Sequence, residues 1–86
     1  MGKGNKLREK ILLGHSDANI DFGDLCHWLR RLGFSERISG SHHIFSRNGI
    51  EEIINIQPKG RMAKNYQVAQ VRDMILKHRL GDESNE

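Results

Sequence analysis

A stripe of apolar residues at helical spacing crosses the first half of the chain. Its members recur every three or four residues, which places them on one face of an α-helix. They are Phe22, Leu25, Leu29 and Leu32. Asp21 precedes the stripe in the N-cap position, and Gly33 follows it where a helix would end. The pattern therefore predicts a helix between Asp21 and Gly33.

Two further segments have apolar residues at helical spacing. Residues 6–13 are good helix formers, but a helix of this length must dock against the rest of a domain to persist. A longer helix is predicted from Asn65 to Gly81, which would end it. Its apolar face is formed by Val68, Val71 and Ile75. The acidic segment 81–86 is predicted to be disordered.

Polar and apolar residues alternate between the second and the last helix, as they do in β-strands. The alternation predicts three strands, over residues 34–38, 42–46 and 50–57. Gly40 and Ser41 supply a turn or bend before the second strand, and Asn48 and Gly49 supply a hairpin turn after it. The predicted fold is one α+β domain over residues 1–86, with an antiparallel three-stranded meander and the element order α-α-β-β-β-α.

The chain carries more basic than acidic residues. It has 14 Lys and Arg against 11 Asp and Glu, which gives a net charge of +3 and a pI near 9.4. Three of the acids lie in residues 81–86, so the remainder is more basic than the total indicates. A basic surface suits a polyanion, nucleic acid first. A charge of this size is also common in proteins without such a partner.

Cysteine usage and hydropathy favour an intracellular protein. Cys26 is the single cysteine, which excludes an internal disulfide and suits a reducing compartment. It lies on the apolar face of a predicted helix, where a buried structural thiol is expected rather than a nucleophile. No apolar run reaches the roughly 18 residues that a membrane span needs, and the N-terminus has no signal-peptide core. We expect a cytoplasmic protein without a membrane partner.

Two adjacent histidines, His42 and His43, begin the second predicted strand. An unperturbed histidine titrates near pH 6.5, so it exchanges protons at neutral pH. In RNA the 2′-hydroxyl is an internal nucleophile beside the phosphate, so a positioned histidine and nearby cations can suffice for cleavage without a metal ion. The alternative is that both are ordinary strand residues with no chemical role.

Strand phase separates the two histidines, because adjacent strand residues point to opposite faces unless the strand is bulged. Phe45 is the bulkiest apolar residue of the segment. If Phe45 faces the helices, His43 does too, and His42 lies on the open face with Ile44. The opposite phase would bury Ile44 and expose His43. The size of Phe45 favours His42 as the reactive residue.

Basic residues near the histidines are candidates for phosphate contacts. Lys59, Arg61 and Lys64 lie in a predicted loop before the last helix, whose N-terminal amides would also attract phosphate. A solvated surface loop is the alternative. Arg37, on the first predicted strand, would extend the basic surface. Ser41 is expected to be a turn residue whose hydroxyl could bond a phosphate or the backbone.

Two other kinds of site are not supported by the residue pattern. The five histidines have no metal-ligand spacing and one cysteine cannot complete a Cys-rich site, so no metal or other cofactor is expected. No nucleophile elbow surrounds Ser41, which argues against a Ser-His-Asp hydrolase. Trp28 and Tyr66 lie in helical stripes, where core packing is expected rather than stacking on a base.

Several short segments, in a fixed order along residues 21–80, carry a family resemblance. They are Leu32-Gly33-Phe34, Gly40-Ser41-His42-His43-Ile44-Phe45, Asn55-Ile56-Gln57, Ala63-Lys64, Tyr66-Gln67-Val68 and Val71-Arg72. In this combination they resemble the HicA family of type II toxin–antitoxin toxins. The Gly-Ser-His-His segment is short, and its placement between a helix and a hairpin makes the combination more specific than the segment alone.

The resemblance implies a fold similar to double-stranded-RNA-binding domains, with the helices on one face of a three-stranded sheet. It also implies an mRNA interferase that halts translation until a HicB antitoxin binds it. We expect a monomeric free toxin and a hetero-oligomer with the antitoxin. In that family the catalytic histidine is the first one after the Gly-Ser or Gly-Gly pair, which corresponds to His42. Candidates for a second proton-transfer group are His43, Ser41 and Lys64.

The chain also departs from the family pattern. Many members begin near the helix that here follows Asp21, so the helix over residues 6–13 is an addition of open role. The phosphate contacts of Lys59, Arg61 and Lys64 are inferred from their position and not from the family. A non-catalytic RNA-binding module, or a partner-binding protein with incidental RNA affinity, is consistent with the same residues.

Overall fold

The computed structural model of the protein describes residues 3–80, with side chains from Lys6 onward. The helices in this range are α1 (Lys3–Leu13), α2 (Phe22–Arg31) and α3 (Asn65–His78), and Asp17–Asn19 form a 3₁₀ turn. The strands are β1 (Ser35–Ser39), β2 (His42–Arg47), β3 (Ile50–Ile56), β4 (Pro58–Lys59) and β5 (Met62–Ala63). The segment predicted to be disordered, residues 81–86, lies outside the described residues.

The predicted α+β fold is confirmed, with the principal elements in the order α-α-β-β-β-α. β1, β2 and β3 form a three-stranded antiparallel sheet in that spatial order. The basic segment before α3, predicted to be a loop, instead folds into the hairpin β4–β5. Gly60 makes its turn with a φ of +62°, a conformation that glycine adopts without strain.

The register of the sheet determines which side chains share a face. Phe45 of β2 lies opposite Ile54 of β3, and both are buried against the helices. Ile44 lies opposite Asn55, and this pair faces the other way. Because opposed residues in an antiparallel sheet point to the same side, the sheet has one covered face and one open face.

One apolar core joins the helices to the covered face of the sheet. Its completely buried members include Ile11 of α1, Leu29 of α2, Phe45 of β2, Ile56 of β3 and Val71 of α3. Cys26 and Trp28 are also buried, as predicted from the stripe of α2.

Helix α1 docks into this core. Ile11 has no exposed surface, and Leu7 and Leu12 pack against the core from its edge. Arg72 of α3 holds the connection after α1 in place. Its guanidinium donates to the carbonyl oxygen of Ile11 at 3.3 Å and to the carboxylate of Asp17 at 2.9 and 3.1 Å. Helix α1 therefore enlarges the apolar core.

The helix ends agree with the sequence in α2 and differ in α3. Asp21 caps α2, since its Oδ1 accepts from the backbone N–H of Asp24 at 2.9 Å. Helix α3 ends at His78, and Arg79 adopts the left-handed conformation with a φ of +55°. The end was predicted at Gly81, which lies outside the described residues. A non-glycine residue in this conformation costs about 1 kcal/mol relative to glycine.

Large apolar side chains are also exposed on several elements: Leu13, Ile38, Ile53, Tyr66 and Leu76. Single exposed apolar residues are ordinary on folded proteins. Within residues 3–80, no helix combines the length and the apolar character that a bilayer crossing requires.

Candidate functional site

Strand β2 places the two adjacent histidines on opposite faces of the sheet. Phe45 is completely buried, and His43 lies on the same side and is half-buried. The ring of Phe22 meets the ring of His43 edge-on, with 4.8 Å between their centroids. His42 lies on the open face and is exposed. This is the strand phase that the size of Phe45 favoured.

A two-residue turn leads directly into His42. Ser39 pairs with His42, which leaves Gly40 and Ser41 as the loop between β1 and β2. Gly40 has a φ of +61°, and a Cβ built on it would meet no atom within 4 Å. The position therefore favours glycine for its backbone conformation rather than for space. A positive φ at the first loop residue alone is typical of a type II′ hairpin turn.

Two amide side chains hold the imidazole ring of His42. Its Nδ1 lies 3.0 Å from Oδ1 of Asn55, and its Nε2 lies 3.0 Å from Nε2 of Gln57. An amide oxygen only accepts and an amide nitrogen only donates, which assigns the proton to Nδ1 and the lone pair to Nε2. The neutral imidazole satisfies both contacts in this tautomer. Nε2 is thus the atom of His42 that can take up a proton.

Gln57 is itself fixed through its side chain and its backbone. Nζ of Lys64 donates to Oε1 of Gln57 at 2.8 Å. Oε1 of Gln67, a residue only 6% exposed, accepts from the backbone N–H of Gln57 at 2.8 Å. A hydrogen bond from an ammonium group polarises the amide of Gln57. This polarisation strengthens the hydrogen bond that the same amide donates to His42. Two hydrogen bonds thus connect the ammonium group of Lys64 with the imidazole.

His43 belongs to a different cluster, between the sheet and α2. Its Nδ1 lies 2.7 Å from Oε2 of Glu36, whose other oxygen accepts from Nε of Arg30 at 2.7 Å. The hydrogen bond from Arg30 is the main reason that the pKa of Glu36 lies below its usual value. The hydrogen bond between Glu36 and His43 lowers this pKa further. His43 therefore links β2 to β1 and, through Glu36, to α2.

Three side chains with metal-binding groups meet in this cluster, which sequence spacing did not indicate. The ligand atoms of Cys26, Glu36 and His43 lie within 4.8 Å of one another, and Sγ of Cys26 is 4.0 Å from Nδ1 of His43. Burial, followed by the charge of Glu36, raises the pKa of the Cys26 thiol to about 11, so the thiol is protonated at neutral pH. A cation there would have to displace the donors Arg30 and His43 from Glu36. The contacts present are those of a structural ion pair.

The remaining predicted phosphate contacts are exposed residues on three parts of the fold. Arg37 is exposed on β1 and shares the open face with His42. Lys59 and Arg61 are exposed on the β4–β5 hairpin, and Ser41 is exposed in the turn before β2. None of these four takes part in the hydrogen bonds of His42 within residues 6–80. Of the predicted basic residues, the structure joins only Lys64 to the His42 network.

Tyr66 contradicts the expectation of core packing. It lies at the first turn of α3 and is 57% exposed. The buried face of α3 is formed by Gln67, Val68, Val71, Met74 and Ile75. Tyr66 falls outside this face, because neighbouring positions of a helix point about 100° apart and the next residue, Gln67, points inward. The corresponding prediction for Trp28, which is 3% exposed, is confirmed.

Sequence reasoning missed Asn55, Gln57 and Gln67 as parts of the site. Asn55 of β3 and Gln57, which directly follows this strand, alternate with the buried isoleucines, and the side chains of both reach His42 on the open face of the sheet. Placing them beside His42 needed the register between β2 and β3. The role of Gln67 has no such signal, because one polar residue within an apolar helical stripe does not indicate which backbone group it binds.

Comparisons of the chain with protein-family models, with curated proteins and with solved structures found no match. The features that bear on function are those of the fold: an exposed histidine held by two amides, an ammonium group connected to it, and exposed basic residues on β1 and on the β4–β5 hairpin.

Proposed function

We propose that this protein is a toxin similar to the HicA family, which cleaves mRNA as a metal-independent endoribonuclease and thereby inhibits translation. His42 is the general base or acid. One observation carries the proposal: His42 is exposed on the open face, its ring is oriented by Asn55, and its acceptor Nε2 meets an amide bound to Lys64. The motif resemblance supports the same residue, because the family's catalytic histidine corresponds to His42.

The ring of His42 is arranged to accept a proton at Nε2. The amide of Gln57 occupies this position in the free protein, and the 2′-hydroxyl of RNA takes its place when substrate binds. Asn55 keeps the other proton on Nδ1 and accepts a hydrogen bond from the imidazolium that forms. The tautomer and the orientation of the ring are therefore set before the reaction begins.

The chemical step is an internal displacement at phosphorus. The 2′-oxygen forms a bond to the neighbouring phosphorus as its proton passes to Nε2 of His42. The bond from phosphorus to the 5′-oxygen breaks, and that oxygen takes a proton from water or from a neighbouring acid. The products are a 2′,3′-cyclic phosphate and a 5′-hydroxyl. A positioned histidine contributes about 10²–10⁴-fold to such a step.

The second proton-transfer group has three candidates, which lie on different parts of the fold. His43 lies on the opposite face of the sheet, with Glu36. Ser41 immediately precedes His42 in the turn. Lys64 is linked to His42 through Gln57. Lys64 is also a cation that stabilises the charge developing on the phosphate, which makes it the preferred partner of His42.

The proposal includes a protein partner and a cellular location. A HicB-like antitoxin neutralises the toxin by covering the open face of the sheet around His42. The free toxin is monomeric and forms a hetero-oligomer with the antitoxin in the cytoplasm. Masking of His42 is the expected mode because the residue lies on the surface of the domain.

The test is cleavage of a defined RNA in the presence of EDTA by the wild-type protein and by His42→Ala. We expect the wild type to cut and His42→Ala to be slower by about 10²–10⁴-fold. His27→Ala is the matched control, because His27 is also exposed but lies on α2, and it should cut at the wild-type rate. A strand of the same sequence with 2′-deoxy nucleotides throughout should remain intact, because it lacks the internal nucleophile.

Three results would contradict this mechanism. Equal cutting by wild type and His42→Ala excludes His42, and cutting of the 2′-deoxy strand excludes the internal nucleophile. Loss of cutting only when EDTA is present indicates a metal-dependent reaction. Growth arrest on expression that disappears in His42→Ala is the matching observation in cells.

A non-catalytic RNA-binding module is the second candidate function. It is favoured by the contact between Gln57 and Nε2 of His42, which occupies the lone pair that catalysis requires. In that case the wild type binds RNA with an affinity that falls as salt is raised, and leaves the RNA intact.

A further inference from the structure

A groove of about 770 Å³ lies beside the His42 site, where the β4–β5 hairpin meets the start of α3. Its lining includes Lys59, Met62, Lys64 and Tyr66, with Ala18 from the 3₁₀ turn. Ligand pockets in proteins commonly measure about 300–1,000 Å³, so the groove has room for a nucleotide. Among the residues that the structure describes, no acidic side chain contributes to its lining.

The lining combines an aromatic ring with two cations. Tyr66 is 57% exposed, although it lies on a helix that packs into the core. Met62 is half-buried and adds an apolar side chain to the lining of the same groove. Neither Lys59 nor Lys64 forms an ion pair with a carboxylate within residues 6–80. The positive charge of the groove is therefore available to an anionic ligand.

The groove is connected to His42 through Lys64. This lysine lines the groove and also donates to Gln57, which in turn donates to Nε2 of His42. An ammonium group has three N–H donors, so Lys64 can bind a ligand phosphate in the groove while it still donates to Gln57.

We propose that this groove binds one nucleotide of single-stranded RNA next to the scissile phosphate. The base stacks on Tyr66 against Met62, and the phosphate lies between Lys59 and Lys64. The choice of RNA as the ligand rests on the proposed function, whereas the nucleotide-binding chemistry rests on the groove itself. Tyr66 determines affinity for the substrate and takes no part in proton transfer.

A single-stranded polynucleotide fits the lining better than a duplex does. A base can reach the ring of Tyr66 only with its flat face free, and bases in a duplex are stacked on their neighbours. Stacking on an aromatic ring tolerates every base, so the groove adds affinity more than it adds sequence preference. Lys59 and Lys64 supply positive charge for the phosphate groups of such a strand.

The test is binding of a short RNA made uncleavable by 2′-O-methyl groups, measured by fluorescence anisotropy. Tyr66→Ala should weaken binding by roughly 5- to 150-fold, the range that one base stacked on an aromatic ring supplies. Tyr66→Phe keeps the ring and should bind within about threefold of the wild type. Leu76→Ala is the matched control, since Leu76 is also 57% exposed on α3 but lies at its other end.

A second series tests the two halves of the nucleotide separately. An RNA that lacks one base should bind the wild type more weakly when the abasic site is at the position that occupies the groove. Tyr66→Ala should bind the intact RNA and the abasic RNA with equal affinity. Lys59→Ala should lower the slope of log affinity against log salt by about 0.7 and leave the abasic effect in place.

The outcomes separate this site from the catalytic proposal. RNA binding that depends on Tyr66, without any cleavage, supports the groove and overturns the endoribonuclease. RNA binding by the wild type that Tyr66→Ala and the abasic site leave unchanged overturns the groove, whether or not the RNA is cut. Failure of the wild type to bind RNA at all overturns both.

Discussion

The two faces of strand β2 give the same residue type two different environments. On the open face, His42 is exposed and its ring nitrogens meet two neutral amides, those of Asn55 and Gln57. On the covered face, His43 is half-buried and meets the carboxylate of Glu36 and the ring of Phe22. The two residues are adjacent in the sequence, so strand alternation alone separates them.

This difference shows what each environment permits. Two neutral amides orient the ring of His42 and leave the residue exposed on the open face. The carboxylate of Glu36 fixes the ring of His43 through a hydrogen bond and also holds Arg30. We infer that His42 serves chemistry and His43 serves stability. Variants on each face test this division.

The largest expected effect concerns the apolar neighbours on the two faces. Phe45→Ala removes a completely buried ring from the covered face and should lower the free energy of unfolding by about 3–5 kcal/mol. Ile44→Ala changes a half-buried residue on the open face and should cost about 1 kcal/mol. Urea unfolding measures both. Similar losses in the two variants would mean that the faces do not differ in this way.

The next effect concerns His43. His43→Ala removes its hydrogen bond to the carboxylate of Glu36 and its contact with Phe22, which should cost about 1.5–3 kcal/mol in the free energy of unfolding. His27→Ala, at an exposed position on α2, should change stability by less than about 0.5 kcal/mol. If His43→Ala is as stable as the His27→Ala control, His43 has no structural role.

The ion pair on the covered face also predicts a pH dependence. The pKa of Glu36 is lower in the folded protein, chiefly because of Arg30, so its ionised form stabilises the fold. That contribution is complete above the usual carboxyl pKa of about 4.3 and is lost as pH falls through the lower folded value. Glu36→Gln should therefore be less stable than wild type by about 1 kcal/mol at pH 7. The difference should shrink at pH 3, and a constant difference would argue against the ion pair.

The smallest expected effect concerns the amide that orients His42. Asn55→Ala should leave the free energy of unfolding within about 0.5 kcal/mol, because Asn55 is exposed. It should slow RNA cleavage about tenfold, which corresponds to one hydrogen bond of about 1.4 kcal/mol. Ser46→Ala, at another exposed position of β2, is the control for both measurements. A large loss of stability with no loss of cleavage rate would show that Asn55 stabilises the fold and does not assist His42.

Local patterns in the sequence were sufficient for the fold and for the strand phase of the histidines. Asp21 and the stripe of α2 predicted a helix whose capping contact is present, and the bulk of Phe45 predicted the open position of His42. The hairpin β4–β5 was missed, because two-residue strands are too short to show alternation. The turn at Gly60 was the available signal.

The composition of the site was harder to predict than the position of its histidine. Asn55 and Gln57 reach His42 across a strand pair, so their role depends on a register that alternation within one strand does not determine. Tyr66 was assigned to the core because it stands next to the apolar stripe of α3, yet a shift of one residue rotates a helical position by about 100°. That rotation places its ring in the groove beside Lys64.

The division between the two histidines is tested most directly by the rate of RNA cleavage per folded molecule. The rate is measured in EDTA for His42→Ala and His43→Ala, after each is corrected for its folded fraction from urea unfolding. We predict that His42→Ala loses about 10²–10⁴-fold in rate, while His43→Ala keeps the wild-type rate and loses only stability. Equal rates in the two variants, or a larger loss in His43→Ala, would contradict the assignment of chemistry to the open face.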